Sequence, residues 1–299
     1  MRGYLPSVPV IHCDALTKRY GSVGALRDLT LDVQDGEVLG FLGPNGSGKT
    51  TTIRLLLGLI RPTSGRAELF GLDAQRDAVE AHKRLAYVPG DTALWPSLTG
   101  EETLHFLAEV HGAVDSAYRA QLIEMFKFDP SKKARAYSKG NRQKIALIAA
   151  FASRAELLVL DEPTSGLDPL MEQAFRGCMH EAKERGQTVF LSSHILSEVE
   201  AVSDRIAILR EGVLVESGTM DELRIASAVS VEITFAAKPP SLSRVAGVAR
   251  VAVDGKRVRC QVTGPIQPLL TAIAKHNVVE MLSHEPSLEE LFLAHYGDA

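Results

Sequence analysis

Gly43, Pro44, Asn45, Gly46, Ser47, Gly48, Lys49 and Thr50 form the stretch of this chain best equipped for chemistry. It follows the apolar run Val38 to Leu42 and opens into the helix-forming run Thr51 to Leu57. Strand, loop and helix in that order are what a phosphate-binding loop requires. Gly43, Gly46 and Gly48 permit a tight backbone path that turns successive N–H groups inward, and the helix that follows points its positive end at the same anion. Lys49 has the reach to meet β- and γ-phosphates, and the Thr50 hydroxyl is a ligand for Mg²⁺. The spacing predicts a nucleoside triphosphate site, with Pro44, Asn45, Ser47 and Thr51 lining the same loop.

Downstream, Leu157 to Pro163 reads LLVLDEP. Four apolar residues make a buried strand, and Asp161 emerges at its end where it can join a Mg²⁺ shell. Glu162 points the other way and is the candidate general base, an acid able to orient and deprotonate a water attacking the γ-phosphate. His194 follows the strand Thr188 to Ser192. A neutral imidazole at a strand's C-terminal end can donate a hydrogen bond to a phosphate oxygen.

These groups need a scaffold, and the sequence supplies one. At 299 residues, with 45% hydrophobic composition, the chain is long enough for about two domains with a substantial core. A net charge of −4, without a local block of Lys and Arg, gives no reason to expect nucleic acid as a partner. Three cysteines, Cys13, Cys178 and Cys260, are too scattered for a disulfide framework or a zinc site and suit a reducing interior. The apolar runs Leu55 to Ile60 and Ile145 to Ala152 fall well short of the ~20 residues that span a bilayer, and the first residues lack a secretion signal's apolar stretch.

From about Val8 to Leu223, β-rich runs alternate with helical patterns, which predicts parallel strands joined by crossover helices. Trp95 to Lys139 carries helical periodicity in Thr103 to Val110 and Tyr118 to Phe126 and reads as a helical insertion. Beyond Arg224 the expected elements are a strand over Val229–Phe235, two strands around Asp254-Gly255, a helix over Ile266–His276, a strand over Val278–Leu282 and a last helix over Ser287–His295. We therefore expect an α/β domain over residues 1–227, with a helical subdomain at about 95–140, and a small α+β domain over 228–299.

Taken in order, these motifs resemble the nucleotide-binding subunit of an ATP-binding-cassette transporter, an ABC-type P-loop NTPase. The resemblance covers about Val8 to Leu223. Besides the phosphate loop, LLVLDEP and His194, it rests on YSKGNRQK (Tyr137 to Lys144) at the place of the family's LSGGQ signature, and on SGLD (Ser165 to Asp168), which resembles the D-loop. It implies that Tyr20, in KRYG, stacks on adenine. It also implies that Ser138, Gly140 and Asn141 contact the γ-phosphate bound by a second copy, so that two copies bury two ATP molecules between them head to tail.

The chain departs from the family pattern twice. Where a Gln usually follows Y-x-P, this sequence has Tyr87-Val88-Pro89-Gly90-Asp91. Either Asp91 takes that residue's place at Mg²⁺, or water completes the shell. In the signature, Tyr137, Lys139 and Asn141 replace the usual Leu, Gly and Gln.

The expected function is ATP hydrolysis powering export through a separately encoded integral membrane permease, from the cytoplasmic face of the cell membrane. Leu94, Trp95 and Phe106 are candidates for the contact with a short permease helix. The SKGNRQK form of the signature and EPSLEELFL (Glu285 to Leu293) resemble the multidrug and antibiotic-resistance exporter branch. A soluble ABC-type ATPase and a nucleotide-gated regulatory module are the alternatives.

Overall fold

The computed structural model describes residues 8–112, 114–225 and 229–284. The chain divides into two compact units, Met1–Ser217 and Gly218–Ala299.

The first unit begins with β1 (Ile11–Tyr20), β2 (Val23–Val33) and β3 (Val38–Leu42), and the phosphate loop then leads into α1 (Lys49–Leu56). β4 (Ser64–Leu69), β5 (Leu72–Asp73), α2 (Ala78–His82) and β6 (Leu85–Val88) follow. The helical insertion holds α3 (Gly100–His111), α4 (Ser116–Met125), a 3₁₀ turn (Ala134–Ala136) and α5 (Lys139–Ser153). Then come β7 (Leu157–Asp161), α6 (Pro169–Glu184), β8 (Thr188–Ser193), α7 (Leu196–Glu200), β9 (Arg205–Arg210) and β10 (Val213–Thr219).

Six of these strands form a sheet in the order β10-β9-β3-β8-β7-β6, in which β9, β3, β8, β7 and β6 run parallel. Strand alternation sends Leu158, Leu160, Val189 and Leu191 into one core with Phe126, Phe151 and Phe175. Leu157, Val159 and Phe190 go to the opposite core with Leu29, Phe41 and Ile53. With each such side chain contributing about 1.5–3 kcal/mol by leaving water, a one-residue slip of any strand is excluded. The register in turn fixes which residues emerge at the strand ends.

The sequence predicts parallel strands throughout this region, but β2-β1-β4-β5 is a separate, antiparallel sheet. The alternation that would reveal it is broken. The β1–β2 register shifts three times, and Ala15 and Asp28 both stand at φ 47°.

Local signals close the helices. Thr99 and Glu102 form a capping box on α3, and Gly112 ends that helix at φ 85°. Asp168 caps α6 by accepting from the amides of Leu170 and Met171, with Pro169 in the first turn.

The second unit contains α8 (Met220–Ile225), β11 (Val229–Phe235), β12 (Val248–Asp254), β13 (Arg257–Val262), α9 (Gln267–Ile273) and β14 (Val278–His284). Its sheet has the order β12-β13-β11-β14 and encloses Val231, Ile233, Phe235, Val258, Leu269 and Ile273. The helix expected over Ser287–His295 and the segment Glu285 to Leu293 lie outside the described residues.

Candidate functional site

β3, β8 and β7 are neighbours in the parallel sheet, so their C-terminal ends deliver the phosphate loop, His194 and the two acids to one place. The loop is held open by its backbone. Gly48 stands at φ 112°, and a Cβ on it would meet the Ala25 carbonyl oxygen at 2.5 Å, so no other residue fits there. Thr52 N–H donates to the Gly48 carbonyl, which leaves the amides of the first turn of α1 facing the loop. Ser47 Oγ is buried and has no hydrogen-bond partner among the described residues. An unsatisfied hydroxyl beside free amides is the environment a phosphate oxygen would complete.

Lys49 is buried (5% exposed) and donates to the carbonyl oxygens of Gly43 at 2.6 Å and Pro44 at 3.2 Å. Its Nζ stands 3.5 Å from Glu162 Oε1. Burial pulls its pKa below the ordinary lysine value, while the charges of Glu162 and Asp161 oppose that shift.

Asp161 is held from both sides. Thr50 Oγ1 donates to its Oδ2 at 3.1 Å, and Ser192 Oγ donates to its Oδ1 at 2.5 Å. Thr50 and Asp161 thus present hard oxygens side by side. No group of three His, Cys, Asp or Glu able to cage a metal occurs among the described residues. This donor set fits Mg²⁺ arriving with phosphates, which keeps most of its shell from water and substrate.

The chain turns sharply after Asp161. Glu162 lies at φ 46°, and its amide donates to the Ser192 carbonyl at 3.0 Å. This is a left-handed conformation that a non-glycine residue holds at some cost. The turn brings Glu162 Oε1 to 3.2 Å from His194 Nδ1, so Lys49 and His194 approach the same carboxylate oxygen.

The signature lies on a different element. Its helix begins at Lys139. Ser138 is the N-cap of α5, accepting from the Asn141 amide at 3.3 Å, and Gly140 lies inside the first turn. Serine at the cap outweighs the low helix propensity of glycine, because first-turn amides have no partner in the helix to lose. Lys139 Nζ donates to Ser165 Oγ at 2.8 Å, and a Cβ on Gly140 would meet the Gly166 carbonyl oxygen at 2.3 Å. Signature and D-loop turns therefore abut within one chain. Among the described residues, no hydrogen bond or ion pair joins Ser138, Gly140 or Asn141 to the phosphate loop.

Tyr20 ends β1 with its ring half exposed and Lys18 Nζ 5.1 Å above it. Asp91 is exposed and makes no hydrogen bond or ion pair with Thr50 or Asp161 among the described residues. Its neighbour Gly90 does reach the acids, since a Cβ there would lie 3.2 Å from the Asp161 carbonyl oxygen.

Trp95 and Phe106 pack edge to face at 4.9 Å, yet both remain about half exposed. Trp95 and Leu94 border a groove of about 680 Å³ lined also by Leu57, Leu59, Val110 and Ala149. No helix among the described residues is long and apolar enough to cross a membrane.

Three contributors escaped the sequence reading. Ser192 orients Asp161. The buried Glu198 accepts from Thr164 at 2.6 Å and Ser193 at 2.7 Å, bracing the turns after β7 and β8. Gln143 joins α5 to the turn after β6. The two serines before His194 were the available hint.

Comparison with known proteins gives the family and the fold. The family model described as "ABC transporter" matches residues 26–165. The bacitracin transport ATP-binding protein BcrA of Bacillus licheniformis is 39% identical over 218 residues, covering 72% of this chain and 71% of that protein. The linearmycin resistance ATP-binding protein LnrL of Bacillus subtilis is 28% identical over 302 residues, covering 95% and 97% respectively. A solved structure described as the ATP binding subunit of an ABC transporter superposes with a TM-score of 0.67 at 32% identity, covering 72% of this chain and 92% of that one.

Proposed function

We propose how this chain works from one premise: it belongs to the ABC transporter family, as an ATP-binding subunit with the ATPase-cassette fold. In our reading, the loop from Gly43 to Thr51 takes the triphosphate of ATP, and Lys49 exchanges part of its contact with the Gly43 and Pro44 carbonyls for phosphate oxygens. Tyr20 offers its exposed ring to the adenine. Mg²⁺ supplies charge neutralisation on the phosphates, and Thr50 and Asp161 are the protein groups that hold it, with Asp91 the candidate to complete its shell.

Glu162 orients and deprotonates the attacking water, and His194, standing beside the Glu162 carboxylate, donates to the γ-phosphate. Ser138, with the first-turn amides around Gly140 and Asn141, meets the γ-phosphate held by a second copy, so the working unit is a dimer around two ATP molecules. Binding then favours the closed pair by its differential affinity for that state, and hydrolysis favours opening.

The groove beside Leu94, Trp95 and Phe106 receives a short helix of an integral membrane permease, which holds the chain at the cytoplasmic face of the membrane. Bacitracin and linearmycin in the names of two relatives support export of antibiotic-like molecules as the work performed. Residues 1–227 carry the ATPase, and 228–299 form an accessory α+β domain.

One observation carries this reading. Lys49, Thr50, Asp161, Glu162 and His194 converge within hydrogen-bonding or ion-pair reach at adjacent strand ends. The decisive variant is Glu162→Gln. It should lose about 10²-fold or more of Mg²⁺-ATP turnover while retaining ATP binding and stabilising the ATP-bound dimer. Near-parental hydrolysis would remove Glu162 from the mechanism.

A further inference from the structure

Gln143, on α5, is fully buried at 0% exposure. Its Nε2 donates to the Pro89 carbonyl at 3.2 Å, and its Oε1 accepts from Thr92 Oγ1 at 2.9 Å. Both partners belong to the turn that follows β6, so a single planar amide fixes both ends of that turn. Between them lies Gly90. A Cβ there would be 3.2 Å from the carbonyl oxygen of Asp161 and 3.7 Å from Glu162 Cβ. The backbone of the turn is therefore laid directly against the strand end that presents the two acids.

A polar group at this point needs a reason. A buried amide left without partners costs about 1–3 kcal/mol, a liability that an apolar side chain of similar size would not carry. Apolar contact, however, is non-directional and would let the turn slide along the helix. Two hydrogen bonds of defined direction do not. The same helix carries Ser138 at its cap and sets Ala146, Ala149 and Ala150 in the wall of the groove. The segment after Gly90 likewise runs on to Leu94 and Trp95 at that groove. The amide of Gln143 sits where the two paths between groove and acids cross.

We propose that Gln143 is a positioning residue, which clamps the Pro89–Thr92 turn to α5 and thereby sets the placement of the Glu162 carboxylate for hydrolysis without touching the nucleotide. This rests on the assignment of Glu162 to the attacking water.

The test uses the purified full chain with Mg²⁺-ATP. Thr92→Val removes one hydrogen bond at nearly constant volume, Thr92→Ser keeps the hydroxyl, and Gln143→Glu keeps the size and the acceptor while losing the donor to Pro89. Thr92→Val and Gln143→Glu should each lower kcat by about tenfold to a hundredfold, since a displacement near 1 Å at the reacting centre has that order of cost. Their KM, and their affinity for a fluorescent ATP analogue, should stay within about threefold of the parent. Thr92→Ser should restore kcat, and the double variant should be no worse than the poorer single, as expected of residues acting as one unit.

The proposal is overturned if kcat stays within about twofold in both variants, or if nucleotide affinity falls in proportion to kcat, the pattern of general damage to the fold. If Gln143→Glu fails to fold, the Thr92→Val and Thr92→Ser pair still decides. Glu162→Gln run alongside keeps the two questions apart: parental turnover in that variant defeats the assignment of Glu162, whatever the others do.

Discussion

His194 Nδ1 stands 3.2 Å from Glu162 Oε1, an ion-pair distance between the residue that ends one strand turn and the residue that ends its neighbour. Lys49 Nζ reaches the same oxygen from the phosphate side at 3.5 Å. The carboxylate is thus flanked on two sides before any water is presented to it. Removing the imidazole takes away one neighbour of the carboxylate, the one placed to donate to developing phosphate charge. His194→Ala should therefore reduce kcat by about 10²-fold, with ATP affinity changed only slightly. A variant that loses affinity and keeps its turnover rate would reassign His194 to ground-state binding.

Lys49 makes the opposite kind of prediction. Its ammonium is sequestered and already hydrogen-bonded to two carbonyls, so it is pre-aimed rather than recruited from solvent. Losing a charge-assisted hydrogen bond costs about 1.5–3 kcal/mol. Lys49→Met should consequently weaken ATP binding by about ten- to a hundredfold, read by equilibrium titration without turnover. Unchanged affinity would exclude Lys49 from the phosphate site.

For Asp91 the informative variable is the metal. If its carboxylate completes the Mg²⁺ shell, Asp91→Ala should raise the Mg²⁺ concentration required for half-maximal ATPase activity while leaving activity at saturating Mg²⁺ closer to the parent. An unaltered Mg²⁺ dependence would assign that position to water.

The thiols give a prediction about pH. Cys13, Cys178 and Cys260 are all buried. Burial, with a smaller effect of the Asp32 charge, pushes Cys13 up to about 12, and burial, with Glu181, pushes Cys178 up to about 12. Burial also raises Cys260. A raised pKa means that the folded state holds the proton more tightly. The resulting stability is whole below the unfolded-state value near pH 9 and is lost as pH climbs from there toward 12. Because the thiolate is the reactive form, a thiol reagent at pH 8 should label none of the three until denaturant is added. Unfolding titrations at pH 9 to 11 should also show a shallower loss of stability in Cys13→Ala than in the parent. Rapid labelling of the folded chain would contradict the burial on which this rests.

Much of the site was legible because its chemistry is local in sequence. The phosphate loop announces itself by glycine spacing between a strand and a helix, and Asp161 and Glu162 by four apolar residues in front of them. The missing parts depend on partners distant along the chain. Gln143 bonds residues 51 and 54 positions earlier, and Ser192 bonds one 31 positions away. Neither pairing leaves a periodic trace. The separate antiparallel sheet was hidden for another reason, since register shifts at Cys13, Leu16 and Lys18 erase the alternation by which a half-buried strand is recognised.

The contact of Gly140 on Gly166, backbone against backbone, leaves these two turns no independent freedom. A lesion in either will injure both, whatever its distance from bound nucleotide. Second-site suppressors of a damaged signature should accordingly accumulate in the stretch from Ser165 to Asp168.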